Sequence, residues 1–152
     1  MSRALSWDRG EHLHSPVNDL ESFFWVAFWS VLFNKEGGPP TEAEKIIMDD
    51  LNSGNRSDAL DRFFHLLLKD GGNATKRFKV FLWDWWKQVW ARGLSWSKEV
   101  VWSAPDDAGK EYYLPYFHRY ALQGVLDVLG ALHKHWNGEI NWESWTAPTQ
   151  ST

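Results

Sequence analysis

Ser15-Pro16-Val17-Asn18-Asp19-Leu20-Glu21-Ser22-Phe23-Phe24-Trp25-Val26-Ala27-Phe28-Trp29-Ser30-Val31-Leu32-Phe33 decides the fold. Asn18 stands three residues before Glu21, which reads as a capping-box start. The helix is predicted from about Asp19 to Phe33. From Phe23 to Phe33 only Ser30 interrupts the apolar run. Bilayer crossing needs about 20 apolar residues, so the run reads as a buried helix and no membrane partner is expected. Apolar side chains fall on every side of it. Such a helix belongs in the middle of a protein, with others packed around it.

Working outward, Lys35-Glu36-Gly37-Gly38-Pro39-Pro40 stops that helix. Thr41 and Glu44 repeat the capping-box spacing, and a second helix runs to about Leu51. Asn52-Ser53-Gly54-Asn55 reads as a loop. A third helix, about Asp58 to Lys69, carries Leu60, Phe63, Phe64, Leu67 and Leu68, and Gly71-Gly72 ends it. Asn73 caps a fourth, to about Ala91, with Gly93 beyond its end. Its main stripe is Phe78, Phe81, Leu82, Trp85 and Val89. Trp83, Trp86 and Trp90 form a second. Residues 94–115 give no clear period, and Pro105–Gly109 reads as a polar loop. The last helix is predicted over about Tyr116–Trp136, with Ala121, Val125, Val128, Leu129, Leu132 and Trp136 inward. No strand series appears. The expectation is a mostly α domain of five to six helices around a hydrophobic central helix. Residues 1–16 read as an irregular lead-in, 17–146 as a single domain and 147–152 as a loose tail.

The chain has 152 residues, a formal net charge of −4, no cysteine and 12 tryptophans. An acidic balance opposes a nucleic-acid footprint. Lys76, Arg77, Lys79, Lys87 and Arg92 on the Trp-rich helix read as a solvated face, and no nucleic-acid partner is expected. Without cysteine there is no disulfide, thiolate metal site or cysteine nucleophile. The opening residues hold no apolar signal segment, so the expected location is cytoplasmic or nuclear. The sequons at Asn55 and Asn73 then read as coincidence.

Leu13-His14-Ser15-Pro16-Val17-Asn18-Asp19-Leu20-Glu21-Ser22-Phe23-Phe24-Trp25 resembles the start of the central C-lobe helix in fungal-type protein kinases, and is similar to the D-L-E-S helix start of the casein kinase family. The resemblance implies a fold like a truncated kinase C-lobe. It also implies that Asp19 matches the aspartate tethering the catalytic-loop backbone, with Asn18 departing from the family's first Asp. Glu21 matches the family pattern as a structural residue. The parts that handle phosphate charge are a Gly-rich loop, a strand lysine, an H-R-D loop and a D-F-G aspartate. None occurs here. The expected protein is therefore a pseudokinase-like fragment with no enzyme activity and no cofactor.

A central helix lacking its usual neighbours leaves an uncovered face. Each large apolar side chain is worth roughly 1.5–3 kcal/mol when buried. The extra tryptophans, a second copy or another protein partner must cover it. Trp25, Trp29, Phe33, Trp83, Trp86 and Trp90 are expected in the core or at an interface. Trp142 and Trp145 are expected to make contacts beyond the core. The first functional expectation is protein–protein contact, above all self-association. The alternative is a Trp-lined pocket for an apolar small molecule. The third is a small hydrolytic or toxic enzyme using His with carboxylates, such as His14 with Asp19 or Glu21, or His118 with Asp127. His12, His14, His65, His118, His133 and His135 read as structural or surface histidines rather than metal ligands. His133 and His135 point in different directions on one helix.

Overall fold

The computed structural model describes residues 5–6, 12–13, 15–34 and 38–136. Trp142, Trp145 and His14 lie outside the described residues. Five α-helices dominate: α1 (Pro16–Leu32), α2 (Glu42–Asn52), α3 (Arg56–His65), α4 (Asn73–Trp96) and α5 (Lys110–His135). A short antiparallel ladder, β1 (Leu5–Ser6) with β2 (His12–Leu13), precedes them. The class is mostly α, as the helical periods predict.

α1 starts earlier than predicted. Ser15, not Asn18, is the N-cap, and its hydroxyl accepts from Asn18 N at 3.2 Å. Pro16 opens the helix, where a missing N–H costs nothing and a fixed φ helps. Glu21 does not reach back as a capping box. It accepts from Trp25 Nε1 at 3.1 Å. α2 forms as read, with both halves of the Thr41–Glu44 box present.

α3 ends at His65 rather than Lys69. Leu66 and Leu67 are extended, and a 3₁₀ turn follows at Leu68–Asp70. α4 runs through Gly93 to Trp96 and continues as a π-helical turn at Ser97–Val101. The cost of an interior glycine, about 1 kcal/mol, is overridden by packing beyond it. Trp96 and Val100 are buried, and Trp96 meets Tyr120 at 5.2 Å. The same cluster draws in Tyr113, so α5 starts before Pro115 and contains it.

α1, α4 and α5 pack against one another, while α2 pairs mainly with α3. The larger core holds Phe24, Phe28, Ile47, Phe63, Leu82, Trp85 and Val89. The predicted main stripe of α4 therefore faces inward. Phe24 and Phe28 stack at 6.0 Å, Phe28 meets Phe63 edge-on at 4.7 Å, and Trp85 meets Phe24 at 5.5 Å. α5 is rotated from the predicted face. It buries Tyr113, Tyr120, Gly124 and Ala131, and leaves Val125 and Leu129 exposed. The small residues Gly124 and Ala131 let α5 come close to α1, which turns that side inward.

Polar latches tie the layers. Glu44 is buried and accepts from Thr41 N at 2.9 Å, from Gly72 N at 2.8 Å and from the Thr75 hydroxyl. Burial alone raises its pKa, but Thr75, Thr41 and Gly72 together hold it below the ordinary value. Arg92 forks onto Asp127, Nε to Oδ2 at 2.6 Å, joining α4 to α5.

Candidate interaction surface

The predicted all-round burial of α1 is corrected here. Its inward residues are Val17, Leu20, Phe24, Phe28 and Leu32. Phe23, Val26 and Trp29 project outward. α5 presents Leu122, Val125, Leu126 and Leu129 outward. These seven side chains are each between 49 and 65% exposed. On α1, Trp25 turns to Trp86 of α4 at 5.9 Å, whereas Leu20 lies against Gly124 of α5. The helical repeat puts Phe23 on the Leu20 side. On α5, Asp127 turns to Arg92 of α4, so Val125 and Leu129 fall on the opposite flank, towards α1. Phe23 of α1 and Val125 and Leu129 of α5 thus flank one seam, Val26, Leu122 and Leu126 point straight outward, and Trp29, half a turn from Leu20 in projection, falls on the Trp25 side. Ser22 and Ser30 sit among the outward residues of α1, but their hydroxyls donate to the Asn18 and Val26 carbonyls at 2.8 and 2.7 Å. The polar atoms inside the rows are thus already satisfied.

The tryptophans divide. Trp85, on the main stripe of α4, is core. Trp25 and Trp86 are half-buried and pack against Phe24. Phe33 is partly buried and stacks on Trp29 at 3.9 Å. Trp29, Trp83 and Trp90 are exposed, Trp90 at 60%, so the core half of their expectation is corrected. Trp83 and Trp90 lie on a stripe of α4 rotated away from Leu82, Trp85 and Val89, which already fill the space against α1.

Between α3 and α4 lies an open cleft of about 380 Å³ lined by Phe64, His65, Lys79, Val80 and Trp83. Phe64 and Trp83 meet edge-on at 4.7 Å. Lys87 Nζ stands 5.6 Å from the Trp83 ring centre. Lys79 Nζ donates to the carbonyl of Leu66, at the end of α3.

Of the histidine–carboxylate pairs proposed for acid–base chemistry, those of His14 lie outside the described residues, and His118 does not meet Asp127. Asp127 is engaged by Arg92 and lies on the same helix as His118, nine residues on, about 13 Å along the axis. His65 contacts Asp61 at 3.3 Å on an exposed surface. His135 joins Lys134 and Lys87 on Asp84, at 2.6, 2.6 and 2.7 Å. Hydrogen bonds from Lys134, then Lys87 and His135, hold the Asp84 carboxyl far below the usual range. Among the described residues no three His, Asp or Glu side chains group as a metal site. No helix there is long and apolar enough to cross a membrane. The basic residues of α4 are divided as well: Lys87 serves Asp84, Arg92 serves Asp127, and Arg77 lies 5.6 Å from its neighbour Phe78's ring. Asp19, on the outward side of α1, is exposed.

Sequence periodicity missed Phe23, Val26, Leu122 and Leu126 as a surface, because an apolar residue signals burial whether or not a neighbour exists. Comparison with protein-family models, with curated proteins and with solved structures returns no match.

Proposed function

We propose that the chain is a non-catalytic helical docking module, kinase-C-lobe-like in the sense its Leu13–Trp25 segment suggests, which associates with a second copy of itself through the outward rows of α1 and α5. The observation that carries the reading is the pair of rows itself. Seven large apolar side chains stand about half-exposed or more on two helices that pack together, and exposed apolar patches of several hundred Å² mark interaction surfaces. Between Phe23 and Leu32 the outward side of α1 carries no acidic or basic side chain, and Asp19 stands one turn before it, at the edge of the surface. A two-fold contact requires a self-complementary surface. No phosphoryl transfer, cofactor, nucleic acid or membrane enters this reading. Under it Asp19 is a structural remnant at the start of α1.

The test is solution mass by light scattering, with Val26→Glu and Leu126→Glu as variants. Both side chains are half-exposed or more, so their loss leaves the core intact. The wild-type chain is expected at twice the monomer mass. Each variant is expected at the monomer mass with the helix content of the wild type, its melting temperature falling only by what the lost contact between copies supplied. A wild-type monomer, or a dimer indifferent to both changes, refutes self-association through these rows.

A further inference from the structure

The cleft between α3 and α4 shares no residue with the α1 and α5 rows, and its chemistry differs from theirs. Its walls are apolar: Phe64, Val80 and Trp83. Its one permanent charge is the ammonium of Lys79. One of that ammonium's three N–H donors is satisfied by the Leu66 carbonyl. Among the described residues no carboxylate lies within ion-pair distance of it. Burial lowers the Lys79 pKa below its ordinary value, and no neighbouring charge offsets that effect. Every other basic residue of α4 beyond the first turn and a half has a partner: Lys87 has Asp84 and Arg92 has Asp127. A half-buried cation beside exposed aromatic rings favours an incoming anion that brings apolar surface with it. The Trp83 indole, 43% exposed, offers such a surface.

We propose that this cleft binds a small aryl carboxylate, the carboxylate on Lys79 Nζ and the ring against Trp83 and Phe64. The size fits that class. A cleft of about 380 Å³ stands near the lower end of the roughly 300–1,000 Å³ seen for ligand sites. It suits one or two fused rings and is small for a nucleotide-sized cofactor. Val80, 52% exposed, forms the rim. Lys87, already bound to Asp84, lies over one face of the indole and does not compete for the anion.

The experiment is isothermal titration of the full chain with 2-naphthoate and with its uncharged analogue 2-naphthamide. The carboxylate is expected to bind one per chain, roughly tenfold or more tighter than the amide, the value of a charge-assisted hydrogen bond. Lys79→Met keeps the aliphatic stem and removes the charge. It is expected to weaken the carboxylate to the level of the amide and to leave the amide unchanged. Val80→Trp fills the rim from an exposed position and is expected to abolish binding of both. Equal affinity for acid and amide overturns the proposal. So does a carboxylate affinity unaffected by Lys79→Met or Val80→Trp, or the absence of saturable binding by the carboxylate. Melting curves of both variants, expected to match the wild type, separate loss of the site from loss of the fold.

Discussion

Substituting Gly124 and Gly130 by alanine, one at a time, should move stability in opposite directions. Both lie inside α5, five or more residues from either end, so the gain in helix propensity is similar for each, about 1 kcal/mol. Their surroundings differ. A Cβ at Gly130 meets nothing within 4 Å. A Cβ at Gly124 falls 2.7 Å from Leu20 Cγ and closer still to both δ-methyl groups. Leu20 is itself buried on α1, so it has no open space to rotate into. Either the rotamer or the spacing of α1 and α5 must yield. Overpacking costs about 1–3 kcal/mol, and with three Leu20 carbons inside 3.0 Å the upper part of that range, about 2–3 kcal/mol, applies and outweighs the propensity gain. Gly124→Ala is therefore expected to lose about 1–2 kcal/mol net, and Gly130→Ala to gain about 1 kcal/mol. For a chain of this length the melting midpoint shifts by about 2–4 °C per kcal/mol. Thermal melting by circular dichroism should show the first variant about 2–8 °C below the wild type and the second about 2–4 °C above it. Leu20→Ala makes room, so adding Gly124→Ala to that background should cost nothing further. A Gly124→Ala protein as stable as Gly130→Ala refutes the close approach of α1 and α5.

Glu44→Gln should destabilise by about 1–3 kcal/mol, because the amide nitrogen replaces an acceptor facing Thr41 N, Gly72 N or the Thr75 hydroxyl. Glu44 has a folded pKa below its ordinary value, so its contribution is full above the ordinary carboxylate range and is lost as pH falls through the folded value. Denaturant midpoints for the wild type and Glu44→Gln should therefore converge in acid, and a gap that stays constant to low pH counts against the latch. Tyr120 is pushed up to about 12 by burial and by its hydrogen bond to Glu99. A raised folded pKa gives stability that is whole below the ordinary phenol value and lost as pH climbs towards the folded one. Absorbance titration should show a late tyrosine step near 12, absent in Tyr120→Phe. Trp85→Ala should cost about 3–5 kcal/mol and Trp90→Ala within about 0.5 kcal/mol. Similar losses from the two would undo the assignment of inner and outer stripes on α4.

Local signals were legible and long-range ones were not. The Thr41-x-x-Glu44 box could be read because both halves lie in one turn, and the Phe78–Val89 stripe because its period is internal to one helix. Ser15 was hidden as a cap by the equally well-spaced Asn18. Gly93 and Pro115 punctuate the chain locally, yet Trp96, Val100, Tyr113 and Tyr120 pack together across them and carry α4 and α5 through. The outward rows were missed for a deeper reason. Phe23 and Phe24 are identical as letters, and only the placement of α4 and α5 decides that Phe24 is covered while Phe23 is not. The cleft joins Phe64 to Lys79 and Trp83 across two helices, so no spacing within either one announces it.

α1 is made first but is covered last. Phe24 and Phe28 find their packing partners in Phe63 of α3 and, roughly 55–65 residues further along, in Leu82, Trp85 and Val89 of α4. At a synthesis rate of about 5–20 residues per second, α1 waits about 3–12 s before α4 exists to receive it. Through that interval an emerging chain carries a run of aromatic side chains without the α4 partners that cover most of it. A nascent chain in this state is a client for holding chaperones and a hazard for its neighbours on the same message. Slow codons between α1 and α4 should lower soluble yield, and the same slowing after α5 should not.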